Sequence, residues 1–251
     1  MKNISINIHA GGIFSKYITG LQNILIIDKN CDNVYLKNID PRFIKEPNHN
    51  AFDYILEQTM DDSYESYEAS HDYPQYDNRN PVEACENFNS LREIVKKIKI
   101  KDSILNKVKS LSDELNINNK TLGIHVRLTD MNIHHPQYGV LHSDDYIKII
   151  DQIHHNYDNI FVASDNIESI EKLKNRFDNK ISFVKDMIRG STETQNTFSL
   201  WLKHGKDERI WEEIFIEMLL LSKCGSLVCR TSNVNNITLL YADQNIGITR
   251  V

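Results

Sequence analysis

Polar residues that can bind an anion follow an apolar segment at residues 121–126. His125, Arg127 and Thr129 alternate along the chain here, so they share one side if the segment is a strand. The planar guanidinium of Arg127 matches two oxygens of a phosphate group, which makes phosphate binding the expected chemistry. An ion pair between Arg127 and Asp130 that orders the loop explains the same residues equally well.

A second anion site is predicted where another polar segment follows an apolar one and begins a helix. Its members are Arg230, Thr231, Ser232 and Asn233. The N–H groups at a helix start attract anions, and the two hydroxyls and Arg230 strengthen that attraction. Capping of the helix explains the hydroxyls equally well. Asp165, which also follows an apolar segment, is better explained as part of a helix cap, although a carboxylate there can bind a hydroxyl or the edge of a base.

Glu217 and the pair Gly11-Gly12 also suit a bound nucleotide. Glu217 lies in a segment, residues 214–221, that is otherwise apolar, and a buried carboxylate there needs hydrogen-bond donors. Guanine presents two adjacent N–H groups, while an arginine or lysine partner or an exposed helix edge is the favoured explanation. Gly11 and Gly12 let the backbone approach a ligand, as phosphate-binding loops do, or form an ordinary tight turn.

Short apolar strands alternate with helical patterns over most of the chain. This order predicts an α/β protein with parallel strands and helices on both faces, in which ligands bind beyond the carboxyl ends of the strands. Residues 60–81 have almost no aliphatic side chains and are expected to be loop or irregular structure. The predicted strands are residues 4–8, 34–36, 121–126, 159–163, 181–184, 226–229 and 246–248.

Composition narrows the class of protein further. The chain has 251 residues, 40% of them apolar, and a net charge of −6, which argues against a general nucleic-acid binder. No apolar run approaches the length of a membrane-spanning helix, so no membrane span is expected. The first residues lack a secretory signal and the four cysteines are too sparse for a disulfide scaffold, so a cytoplasmic protein is expected.

Three motifs together resemble the α1,6-fucosyltransferases, a family that includes the nodulation fucosyltransferases and relatives of protein O-fucosyltransferases. Each motif follows a predicted strand, and their order and spacing suit repeated strand–helix units. The pair Gly11-Gly12 falls where that superfamily has an N-terminal glycine loop. The motifs are His125-x-Arg127-x-Thr129-Asp130, the segment 160–166, and Glu217 with the segment 227–234.

The resemblance implies a GT-B-like fold of two Rossmann-type lobes, each with a parallel sheet, of which the C-terminal lobe is the better defined. Residues 1–115 are the expected N-terminal, acceptor-side lobe, and residues 116–251 the expected nucleotide-sugar-binding lobe. The implied activity is transfer of fucose from GDP-fucose to an oligosaccharide or other glycan, with inversion at the sugar carbon. The resemblance implies no metal and no cofactor besides this donor substrate, and the spacing of His134, His135 and His142 also fits no standard zinc site.

The resemblance also implies a role for each matched residue. Arg127 is expected to hold the β-phosphate, and Asp165 to support the donor pocket. His125 and Glu217 are expected to contact guanine or ribose. The pyrophosphate is assigned to Thr231 and Ser232, with Gly11, Gly12, Arg230 and Asn233 as further donor-binding residues.

Departures from the family pattern leave the catalytic base and the donor open. Leu128 stands where the family has a second arginine, and Met131 where it has a lysine. No carboxylate matches the family's proposed catalytic glutamate, and His135 lies nearest that position. His135 and Asp130 are therefore the candidate bases, with loop ordering the first role for Asp130. The alternatives are a non-catalytic nucleotide- or glycan-binding module, and a glycosyltransferase that uses another nucleotide sugar. Acceptor contacts are expected from the polar segment 60–81.

Overall fold

The structure is a computed structural model, in which the chain forms two compact units. The first unit is Met1–Leu105 with Thr231–Tyr241, and the second is Asn106–Arg230 with Ala242–Val251. The first unit thus ends before the predicted lobe boundary at residue 115 and also takes a segment from near the end of the chain. The residues described are 2–9, 12–38, 49–69, 86–128, 140–191, 197–204, 207–243 and 245–251.

The first unit contains a three-stranded parallel sheet in the order β2-β1-β3. The strict alternation in the first strand places Ile4, Ile6 and Ile8 in the core, where all three are fully buried. Helix α1 follows β1, as the sequence predicts. The strands are β1 (Asn3–Ile8), β2 (Asn33–Asn38) and β3 (Tyr64–Glu68), and the α-helices are α1 (Ile13–Asp28) and α2 (Phe88–Val95).

Strand β3 lies in the segment expected to be irregular, so that expectation is wrong for these five residues. The strand forms one edge of the sheet, and its side chains are exposed or half-buried, so it lacks the apolar alternation by which strands are recognised. Contacts to β1 hold it in place: the Ala69 N–H donates to the Asn7 carbonyl at 2.9 Å, and the Asn7 side chain donates to Glu68 at 2.7 Å.

A helix from near the end of the chain, α8 (Asn233–Tyr241), packs on α1 and α2 within the first unit. The hydroxyls of Tyr17 and Tyr241 share a hydrogen bond of 2.5 Å, and their rings stack with centroids 6.5 Å apart. Seven consecutive residues of the helix, 234–240, are buried, including the polar residues Asn235, Asn236 and Thr238.

The second unit contains a five-stranded parallel sheet in the order β6-β5-β4-β7-β8. The predicted parallel sheet is confirmed, with β4 at its centre and buried along its whole length. The strands are β4 (Thr121–Val126), β5 (Asn159–Ser164), β6 (Ile181–Ser182), β7 (Ser226–Cys229) and β8 (Gly247–Arg250). The remaining α-helices are α3 (Asp102–Glu114), α4 (Ser143–Ile153), α5 (Ile167–Phe177), α6 (Thr197–Lys203) and α7 (Arg209–Leu221).

Helices cover both faces of this sheet. On one face, α4 and α5 contribute Tyr146, Ile150 and Ile170 to a buried cluster that includes alternate residues of β4 and β5. On the other face, the end of α7 and the residues just after it approach β4 so closely that a Cβ built on Gly123 lies 3.1 Å from the Cys224 sulfur. His125 alternates with Gly123, so it faces the α7 side. None of the described helices is both long and apolar enough to cross a membrane.

Gly225, at the turn before β7, lies at a position in the described part of the chain where a side chain is not tolerated. A Cβ there would lie 1.9 Å from the backbone oxygen of Asn119, so the backbone at the start of β4 would have to move. We expect Gly225→Ala to lower the free energy of unfolding by about 3 kcal/mol, measured by urea denaturation. Gly12→Ala is the matched control, because a Cβ at Gly12 meets nothing within 4 Å; equal effects of the two variants would contradict the argument.

Candidate functional site

The predicted strand-end residues of the second unit lie side by side. In the sheet register, His125 of β4 pairs with Ala163 of β5 on one side and with Cys229 of β7 on the other. The residues that follow these positions therefore emerge at one edge of the sheet. They are Arg127 after β4, Asp165 after β5 and Arg230 after β7.

The buried hydroxyl of Tyr146 is influenced by charges at several of these strand ends. Burial raises the pKa of Tyr146 well above its ordinary value; the sulfur of Cys229 and the carboxylate of Asp165 raise this pKa further, and the backbone amide of Arg127 and the charge of Arg230 lower it. Groups from the ends of three strands thus act electrostatically on one hydroxyl. Tyr146 is fully buried on α4, where it packs in the apolar cluster with Val126 and Leu128.

Three arginines stand at the carboxyl ends of the central and neighbouring strands. Arg127 is half-buried and Arg230 is 5% exposed. Arg250, which sequence reasoning missed, ends β8, and its Nη1 lies 3.2 Å from the Cys229 sulfur. The predicted last strand stops at residue 248, whereas the observed strand reaches Arg250. This concentration of guanidinium groups suits a doubly charged ligand such as a diphosphate.

A buried acidic group lies close to Asp165, because the Gly190 N–H donates to the Asp165 carbonyl at 2.9 Å and the neighbouring Arg189 pairs with that group. Glu217 of α7 forms an ion pair with Arg189, the kind of partner that its apolar surroundings led us to expect. Burial raises the pKa of Glu217 to about 7; Arg189 lowers this pKa, and Glu213 and Asp165 raise it. Burial also raises the pKa of Glu213. The site therefore has a cationic side and an acidic side joined at Asp165.

The helix cap after β5 is Asn166, the residue that follows Asp165. The Asn166 Oδ1 accepts from the Ser169 N–H at 2.8 Å and from the Ser169 hydroxyl at 3.1 Å, so it satisfies the start of α5. The capping explanation is thus correct for this segment, with Asn166 as the cap, and the charge of Asp165 acts on both Tyr146 and Glu217.

Arg189 is the second residue of this site that sequence reasoning missed. It lies in the loop after β6, beyond the strand predicted at residues 181–184. Its partner Glu217 comes 28 residues later in the chain. No local pattern connects two residues so far apart. The sequence does contain one weaker signal, because Arg189 is a charged residue that follows a strand, as are the residues that predicted the sites after β4 and β7.

Other predicted residues belong to the first unit. Gly12 caps α1 in an extended conformation (φ −73°, ψ 162°), which leaves the start of this helix without a side-chain cap. Ser232 caps α8 by accepting a hydrogen bond from the Asn235 N–H at 3.3 Å. Lys16, one turn into α1, is fully buried and donates to the Asn38 side chain at 2.6 Å.

Part of the predicted site lies outside the described residues, namely Gly11, Thr129, Asp130, His134 and His135. The roles assigned to Asp130 and His135 therefore stay predictions. His142 is described, and it takes part in the capping of α4. Within the described ranges, no group of three or more histidine, cysteine or acidic residues is placed to hold a metal ion.

Comparison with known proteins identifies the fold. No protein-family model matches the chain, and no curated protein matches it either. Among solved structures, a fucosyltransferase NodZ from Bradyrhizobium is 14% identical, with a TM-score of 0.60, covering 96% of this chain and 94% of that one. A NodZ α-1,6-fucosyltransferase co-crystallised with GDP is also 14% identical, with a TM-score of 0.62, covering 96% of this chain and 93% of that one.

A more distant match comes from plants. A FUT1 mutant of Arabidopsis thaliana in complex with GDP is 11% identical, with a TM-score of 0.53, covering 100% of this chain and 70% of that one. The expectation of an α/β chain with two parallel sheets is confirmed. The chain has a fucosyltransferase-like fold, the α/β GT-B architecture seen in these solved structures.

Proposed function

We propose that this protein is an inverting glycosyltransferase that moves fucose from GDP-fucose to a glycan. The observation that carries the proposal is the row formed by Arg127, Asp165 and Arg230 at adjacent strand ends, with Glu217 beyond Asp165. A nucleoside diphosphate needs cations at one end and hydrogen-bond acceptors at the other, and this row offers both. The same fold occurs in structures that hold GDP or GDP-fucose.

The arginines would stabilise the departing diphosphate. In the proposed step, an acceptor oxygen attacks the anomeric carbon from the face opposite the nucleotide. The bond from that carbon to the β-phosphate oxygen breaks, its electron pair stays on the phosphate, and the acceptor proton passes to a base, for which His135 and Asp130 are the candidates. Negative charge grows on the bridging oxygen, where the guanidinium groups of Arg127 and Arg230 would neutralise it without a metal ion.

Base recognition is assigned to the acidic side of the site. The carboxylate of Glu217 would accept from the N1–H and N2–H groups of guanine. His125, which is 6% exposed and faces the α7 side of the sheet, would contact the base or the ribose. Glycan contacts are assigned to the first unit, including the tyrosine-rich segment 60–81, of which β3 is a part. Tyrosine rings can both stack on a sugar and hydrogen bond to it.

The proposal also places the protein in the cytoplasm. This location is supported by the described cysteines, which are all buried and form no disulfide with one another. Buried thiols of this kind persist in a reducing compartment. The net charge of −6 supports a small-molecule and glycan enzyme over a nucleic-acid binder.

A nucleotide panel tests the proposal directly. We expect GDP to raise the melting temperature more than UDP or ADP at equal concentration, and GDP-fucose to release GDP in the presence of an acceptor glycan. A melting temperature unchanged by all three nucleotides, together with no turnover of any nucleotide sugar, would refute the proposal.

A second candidate function is favoured by Leu128. This residue stands where the resembling family has a second arginine, and its side chain is fully buried in the apolar core. It therefore offers no donor to a phosphate. A non-catalytic GDP-binding module is consistent with this loss, and it predicts a thermal shift with GDP but no release of GDP from GDP-fucose with any acceptor tested. A transferase that uses another nucleotide sugar instead predicts a larger shift with UDP or ADP.

A further inference from the structure

Arg189 is buried with unused hydrogen-bond donors. Its side chain is 4% exposed, and one guanidinium nitrogen, Nη2, contacts Glu217. Within the described part of the chain, its Nε and Nη1 atoms are buried and have no hydrogen-bond partner. Buried polar groups are nearly always satisfied, and a buried donor left without an acceptor is destabilising. The arrangement therefore points to an acceptor supplied by a ligand.

The loop around Arg189 is fixed at both of its neighbours. On one side, the Ile188 N–H donates to the Glu213 carboxylate at 2.7 Å. On the other side, the Gly190 N–H donates to the Asp165 carbonyl and the Ile167 N–H donates to the Gly190 carbonyl, both at 2.9 Å. These bonds extend the sheet edge by one parallel bridge. Arg189 is thus held in position, as a residue that recognises a ligand needs to be.

Glu217 is also only partly satisfied. Its Oε1 accepts from Arg189, and no hydrogen bond to its Oε2 forms among the described residues. The charged groups that face Glu217 are Arg189, Glu213 and Asp165, so carboxylates outnumber the cation. A ligand that suits this pair presents N–H donors to Glu217 and an acceptor oxygen to Arg189, next to each other on one edge.

We propose that Arg189 reads the nucleotide base together with Glu217, with its Nε or Nη1 donating to a carbonyl oxygen of the base. This inference rests on the proposed function and adds a residue that determines specificity. Guanine carries the required edge, because its 6-oxygen adjoins the N1–H and 2-amino groups. Adenine has no carbonyl oxygen, and uracil has a single N–H group on the corresponding edge, so Arg189 would select against both.

The test compares Arg189→Lys with the wild type for three diphosphates. GDP has the 6-oxygen and the 2-amino group, IDP has the 6-oxygen alone, and 2-aminopurine riboside diphosphate has the amino group alone. Lysine keeps the positive charge beside Glu217 but removes the planar fork. We expect Arg189→Lys to weaken GDP and IDP about 10- to 100-fold, which corresponds to a hydrogen bond to a charged group, and to leave the 2-aminopurine nucleotide within about twofold.

The outcomes separate this inference from the proposed function. If the wild type binds none of the nucleotides, the proposed function fails and the inference fails with it. If the wild type binds GDP and Arg189→Lys binds it equally well, the inference alone is refuted. If Arg189→Lys weakens all three nucleotides by the same factor, Arg189 supports the fold only, and the inference is again refuted. Arg176→Lys is the matched surface control, and a melting curve confirms that each variant is folded.

Discussion

Replacing Arg127 with alanine is expected to lower kcat/KM for GDP-fucose at least about 100-fold, the cost of removing one donor to a developing negative charge. The reason is geometric: Arg127 follows the central strand β4, next to Asp165 and Arg230, where the leaving diphosphate would lie. Arg127→Lys should recover part of the loss, because it restores the charge but not the fork that binds two oxygens. The measurement is steady-state release of GDP with a saturating acceptor.

A loop-ordering role for Arg127 gives a different pattern. In that case the alanine variant melts at a lower temperature but keeps the kcat/KM of the wild type once it is folded. The matched control is Arg176→Ala, which removes a guanidinium whose side chain is 58% exposed and pairs with Asp151. Surface pairs of this kind contribute little, so this variant should differ from the wild type by less than about twofold in kcat/KM.

The affinity for GDP is expected to fall as the pH is lowered from 8 to 5. Burial raises the pKa of Glu217 to about 7, with Arg189 acting to lower it and Glu213 and Asp165 to raise it. Above pH 7 the carboxylate is ionised and accepts from guanine; below that pH it binds a proton and loses acceptor strength. Two pH units below its pKa, about 1% of a carboxyl is ionised, so the predicted loss of affinity reaches about 100-fold at pH 5.

Glu217→Gln separates this effect from the titration of GDP itself. The phosphates of GDP gain a proton over the same pH range, and they do so equally with either protein. The variant should bind GDP more weakly than the wild type at pH 8 and show a smaller decline towards pH 5. The difference between the two profiles, measured by calorimetry, isolates Glu217. Parallel profiles would contradict the assignment of guanine to Glu217.

The positions of the strand ends could be predicted from the sequence because the patterns that identify a strand are local. The alternation of β1 and the apolar run of β4 each lie within a few residues, so periodicity alone identifies them. Parallel strands carry the residues after them to one edge, so the neighbouring positions of Arg127, Asp165 and Arg230 follow from the order of strands and helices.

The features of the fold and the site that the sequence did not predict depend on contacts between segments that are distant in the chain. β3 is recognisable as a strand only from its pairing with β1, because its own side chains are mostly exposed. The sequence indicated that Glu217 needs a donor, but only the folded chain brings Arg189 beside it. Likewise, nothing in the sequence of α8 reveals that its buried surface belongs to the first unit.

The place of α8 has a consequence for how the protein is made. The first unit comprises Met1–Leu105 and Thr231–Tyr241, so it stays incomplete until the ribosome has synthesised the intervening Asn106–Arg230, which is most of the second unit. Domains usually fold in order as the chain emerges. Until then, the surface of the N-terminal segment that packs against Tyr241 would stay exposed to solvent. We therefore expect chaperones to bind this segment mainly while residues 106–230 are being translated.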